Sequence, residues 1–136
     1  MSNWRTMEAG MELDREIALR LGWTIKLYPG YTAMLNPHGE IVGRGFHDAP
    51  DGYMWSQAHE FLNMPHYSTD ANAALTLLEG LFWSVFGTPD QDRKTTIYRC
   101  ALNSVYRDAF TAITETADAP ALAICRAWLT WKELHS

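Results

Sequence analysis

The sequence predicts an α+β fold: an antiparallel sheet of about five strands flanked by about three helices, a layered sandwich in the order α-β-β-β-α-β-β-α. Three observations carry this. Apolar residues recur at helical spacing in some segments, and they alternate at strand spacing in the stretches between. Glycine, proline or asparagine stands where the period changes.

The first helix is read in MELDREIALRLGW, residues 11 to 23. Leu13, Ile17 and Leu21 recur every four residues with Ala18 beside them, while Glu12, Arg15, Glu16 and Arg20 take the other face. Gly22 ends it, since glycine enters the left-handed region without steric cost. Residues 1 to 10 read as an N-terminal extension, and residues 11 to 136 as one α+β domain.

The period then drops to two. Trp23, Ile25 and Leu27 alternate with Thr24, Lys26 and Tyr28, Pro29-Gly30 marks a turn, and Tyr31 to Leu35 is the return strand. NPHGE (36–40) is a second turn, and IVGRGF (41–46) a third short strand whose glycines signal a bulge or a close backbone approach. Residues 47 to 67 hold proline and glycine early and aromatics throughout, and read as one short strand or one helical turn around Trp55 to Phe61.

PHYSTDANAALTLLE (65–79) opens the next helix. Ser68, Thr69 and Asp70 are all N-capping types, and Asp70 also suits the positive end of the helix dipole. Ala74, Leu78, Leu81 and Val85, widened by Leu75 and Phe82, predict a helix to about Phe86, closed by Gly87 and Pro89. Residues 95 to 115 read as a hairpin: Ile97, Arg99 and Ala101 alternate with Tyr98, Cys100 and Leu102, Asn103-Ser104 turns, and Val105 to Ile113 returns. A single long helix is the rival there, because Ala and Arg are good helix formers. The last helix is read in TADAPALAICRAWLTWKEL (116–134), capped by Thr116 or Asp118, with Pro120 in its first turn where a missing N–H does no harm.

The chain has 136 residues, 47% of them hydrophobic and 20% charged, which suits one folded core. A formal net charge of -5 with Lys and Arg scattered argues against direct nucleic-acid binding, which needs clustered cations. No apolar run reaches 18 residues, and MSNWRTMEAG lacks the apolar core of a signal peptide, so a cytoplasmic protein is expected. Cys100 and Cys125 form no CxxC pair and sit in apolar patterns, as buried thiols do.

Some of the motifs resemble a known family. Gly22-Trp23, Trp55, PHYSTDANAA (65–74) and APALAICRA (119–127) are similar to the small phage and prophage proteins of the α/β/α-sandwich domain family, over about residues 11 to 134. The resemblance implies a small phage accessory protein in the host bacterial cytoplasm. It carries over no catalytic residue.

Catalytic chemistry finds little support. There is no G-x-S-x-G and no phosphate loop, and His59 and His66 stand seven apart, which is neither a zinc-protease nor a finger spacing. His47-Asp48 and His59-Glu60 leave a metal-dependent hydrolase as an alternative, but no catalytic residue, metal ligand or cofactor is assigned. Binding is the better reading. Arg44 lies in a strand, and Tyr98-Arg99 and Tyr106-Arg107 on the proposed hairpin; guanidinium groups beside aromatic rings grip planar anions. The residues singled out are Arg44, Trp55, Tyr67, Arg99 and Arg107. The expected partner is a host defence protein or a small nucleotide-like ligand, in a counter-defence role. Trp128 and Trp131, read as half core and half interface, suggest a homo-oligomer or a contact with a host protein, and a self-associating structural or assembly component is a further alternative.

Overall fold

The computed structural model describes residues 4, 6–61, 64–90, 92, 95–104 and 113–134. Among these the fold is α+β, with four α-helices and six antiparallel strands in two three-stranded sheets, where about five strands and three helices were expected. The chain divides into two compact units, Met1–Leu13 with His66–Ser136, and Asp14–Pro65.

The second unit opens with most of α1 (Met11–Leu21). Gly22 ends it at φ 111°, and the Trp23 N–H reaches back to the Ala18 carbonyl at 3.0 Å, the six-to-one bond of a left-handed helix stop. The expected meander follows: β1 (Thr24–Tyr28), β2 (Tyr31–Leu35) and β3 (Ile41–Gly45). Gly30, at φ 88°, closes the first turn between the facing pair Tyr28 and Tyr31. In the second turn the Asn36 side-chain oxygen accepts from the backbone N–H groups of His38 and Glu40, each at 3.0 Å. The ladder shifts register between Met34 and Leu35, the irregularity that Gly43 had signalled.

Residues 47 to 67 contain a full helix, α2 (Asp51–Phe61), rather than a single turn or a strand. Pro50 stands just before it and its carbonyl accepts from the Met54 N–H. Proline and glycine near the start thus mark a helix entrance, not an irregular loop. Met54 and Trp55 are buried, and a Cβ on Gly45 would lie 2.6 Å from Met54 Sδ, so β3 needs glycine where α2 packs.

In the first unit, the helix expected over residues 71 to 86 is corrected. α3 is only Ala71–Leu75, followed by a 3₁₀ turn at Thr76–Leu78, and β4 (Leu81–Asp90) is a strand. Gly80, at φ 80°, breaks the helix. Beyond it, Phe82, Trp83, Val85 and Phe86 are aromatic and β-branched types that favour extended backbone. β4 pairs along its whole length with β5 (Thr95–Ser104), which pairs with β6 (Ile113–Ala117). Asn103 and Ser104 therefore belong to a strand rather than a turn. The return strand expected over 105–113 lies, but for Ile113, outside the described residues. α4 (Pro120–Leu134) packs chiefly over β5 and β6 with Pro120 in its first turn as expected. Neither expected cap precedes it directly: Thr116 lies in β6, and Ala119 stands before the helix, its carbonyl accepting from the Ala123 N–H. Leu122, Ile124, Cys125, Trp128 and Leu129 are buried, so Trp128 is core and not surface.

Candidate functional site

The three polar residues before α3 do three different jobs. Asp70 is the N-cap, its carboxylate accepting from the Asn72 N–H at 2.9 Å. Thr69 leans back toward the His66 carbonyl at 3.5 Å. Ser68 is buried, and its hydroxyl accepts from the Gly10 N–H at 2.8 Å, holding the segment ahead of α1 within the same unit. This run is structural.

The most chemically suggestive surface lies on the β1-β2-β3 sheet. Facing residues of adjacent antiparallel strands share a side of the sheet. Lys26 faces Ala33, and Ala33 faces Arg44, so the two cations flank one small residue at about 10 Å strand-to-strand spacing. One step along, Tyr28 faces Tyr31. Their rings are stacked, with centroids 5.3 Å apart and planes 14° from parallel. The Arg44 guanidinium lies over the Tyr31 ring, 5.0 Å from its centroid. Lys26 and Arg44 are exposed and the tyrosines half-buried. In a chain of net charge -5 this is a local positive, aromatic face.

The opposite side of the same sheet, with the loop before α2, forms an open pocket of about 300 Å³ lined by Ile25, Leu27, Thr32, Asp48 and Ala49. His47 Nδ1 lies 3.0 Å from Asp48 Oδ2, and both side chains are exposed. Asp48 adopts φ 59°, which an Asp tolerates better than most residues. Among the described residues no three His, Cys, Asp or Glu side chains stand together as a metal site, and no helix is long and apolar enough to cross a membrane. The side chains of His59 and Glu60 lie outside the described set.

The five residues singled out from sequence are divided between the units. Arg44 and Trp55 lie in the second, where Arg44 is exposed and Trp55 is 4% exposed. Tyr67 and Arg99 lie in the first. Tyr67 is buried and its carbonyl accepts from the Cys125 thiol at 3.2 Å, whereas Arg99 is exposed on β5 between Phe86 and Thr116. Arg107 lies outside the described residues. Sequence reasoning passed over Lys26, Tyr28 and Tyr31. Strand parity was the available signal: Lys26 and Tyr28 stand two apart in β1, and the two-residue turn sets Tyr28 against Tyr31.

Burial pushes the Cys100 thiol up to about 12, so it stays protonated at neutral pH. Cys125 is also a buried free thiol.

No family model matches the chain, and neither does any of the curated proteins. Among solved structures the chain is similar to a phage protein from Bacillus cereus, at 17% identity over 95% of this chain and 94% of that one, with a TM-score of 0.49. No functional conclusion rests on that likeness.

Proposed function

We propose that the protein works by binding, without catalysing a reaction, and that the Lys26–Arg44–Tyr31–Tyr28 face holds a planar anionic ligand of the nucleotide class. The observation that carries this reading is the seating of the Arg44 guanidinium over Tyr31, itself stacked on Tyr28. The Arg44 guanidinium sits against the Tyr31 ring on an exposed residue, and a planar, multi-donor group so placed suits bidentate contact with a phosphate. Lys26, across Ala33, supplies a second point charge at a spacing that a dinucleotide bridges. A base can lie against the tyrosine pair.

The PHYSTDANAA and APALAICRA segments, with their resemblance to phage and prophage proteins, supply the setting: an accessory protein in the host cytoplasm that sequesters a nucleotide signal of host defence. The test is calorimetric titration of the full chain with AMP, a linear dinucleotide and a cyclic dinucleotide. Saturable binding of any one, weakened about tenfold by Arg44→Ala, supports the reading. Absence of binding by all three refutes it, and a host protein retained by wild type but lost with Arg44→Ala would make this face a protein-docking surface instead.

A further inference from the structure

β4 is an edge strand ten residues long. Natural edge strands are usually short, charged, bulged or covered, because their open N–H and C=O groups invite another strand. This one carries no charged residue from Leu81 to Pro89. Its exposed side chains include Phe82 at 60%, Trp83 at 49% and Phe86 at 50%. Among the described residues nothing pairs with its outer edge. Phe82 and Phe86 lie on the sheet face away from α4, since they face Asn103 and Arg99 and not the buried Leu102 and Cys100. Trp83 and Val85 lie on the α4 side, but α4 covers mainly β5 and β6, and Trp83 stays half exposed.

We infer that the outer edge of β4 is a self-association surface, pairing antiparallel with β4 of a second copy about a two-fold axis through Ser84. The sequence of the strand chooses both the occupant and the register. Centring on Ser84 sets Phe82 opposite Phe86 of the other copy, twice by symmetry, so both exposed phenylalanine rings gain an aromatic cross-strand partner. The same register sets Trp83 opposite Val85. A shift of two residues would instead face Phe82 with Thr88 and Phe86 with Ser84. Pro89, which has no N–H to give, falls just outside the paired span. Because the strand is neutral, a second copy brings no like charge against it.

The area is of the right order. Aromatic side chains bury about 150–250 Å² each, so three at half exposure offer about 600 Å² over a symmetric pair. Standard stable interfaces bury about 1,200–2,000 Å², so an aromatic contribution of about half the lower bound suits a weak, reversible dimer. The product is a continuous six-stranded sheet with no open β4 edge.

Sedimentation velocity of the full chain, followed by charge substitution at Ser84, tests this. Ser84 is exposed, so Ser84→Glu and Ser84→Lys leave the fold intact by circular dichroism. The wild type is expected to dimerise reversibly with concentration. Each variant places like charges directly opposite each other and weakens the dimer about fivefold. Mixing the two variants sets Glu against Lys and restores a heterodimer, read by native mass spectrometry. A wild type that stays monomeric at about 100 μM overturns the inference. Variants that dimerise as well as wild type, or a mixture that forms no heterodimer, overturn it too.

Discussion

The indole N–H of Trp4 donates to the hydroxyl of Thr130 at 3.0 Å, across 126 positions of sequence. Trp4 is 1% exposed. Nearby, the Arg126 guanidinium donates to the Met7 carbonyl at 3.1 Å, and Ser68 holds Gly10. The segment ahead of α1 is thus tied to the last helix and to the start of α3. Trp4→Ala should cost about 3–5 kcal/mol, as for other large buried aromatics. Trp4→Phe, which loses the hydrogen bond and leaves a smaller cavity, should cost about 1–3 kcal/mol. Urea unfolding measures both. A cost for Trp4→Ala below about 0.5 kcal/mol would mean that the segment is a loose appendage after all.

Arg44 separates binding from stability. It is exposed, and its stacking on Tyr31 is worth about 0.5–1 kcal/mol at such a site. Arg44→Ala should therefore unfold at nearly the wild-type urea concentration while losing nucleotide affinity about tenfold. Arg44→Lys keeps the charge but not the planar fork, and should fall between the two. Parallel unfolding and titration curves check this. A variant that loses stability and affinity together would mark Arg44 as a structural residue.

Gly45 is required by packing rather than by backbone geometry. An added methyl would lie 2.6 Å from Met54 Sδ and 3.3 Å from Ala49 Cβ, and Met54 is 1% exposed, with little room to turn away. Gly45→Ala should destabilise by about 1–3 kcal/mol. Met54→Ala in the same chain opens the space, so the double variant should be more stable than the sum of the two single losses predicts. Strict additivity would show that the two side chains do not meet.

The meander was legible because each of its turns is written in local chemistry: Pro29-Gly30, and Asn36 with Gly39. α1 was legible for the same reason, its stop residue Gly22 standing where the periodicity ends. Residues 77 to 86 were not. Leu-Leu-Glu-Gly-Leu-Phe-Trp-Ser-Val-Phe is so nearly continuous in apolar residues that periods of 3.6 and 2 both fit, and the helical stripe ran straight through Gly80. The left-handed φ of that one glycine decides the outcome. The candidate face was half legible. Arg44 could be named as a cation in a strand, but its aromatic partner depends on register, which places Tyr31 diagonally across from it. The jobs of Ser68 and Trp4 depend on residues far along the chain, and no local pattern encodes them.

Cys100 sets a pH dependence. Its thiol is fully buried on β5, and burial raises it from the usual value near 9.0 to about 12. The thiol is neutral when protonated, so the folded chain holds this proton through a range in which the unfolded chain has released it. Stability from this group is complete below the unfolded value. It falls as pH rises between about 9 and 12, by at most about 1.4 kcal/mol per pH unit. Urea unfolding at successive pH values from neutral to 11 should show this decline. Tyrosines and lysines titrate in the same range, so the comparison is with Cys100→Ala. That variant starts less stable because of the small cavity, but its curve should be flatter above pH 9. Parallel curves for the two chains would mean that the thiol reaches solvent in the folded state, and it would then react readily with a disulfide reagent at neutral pH.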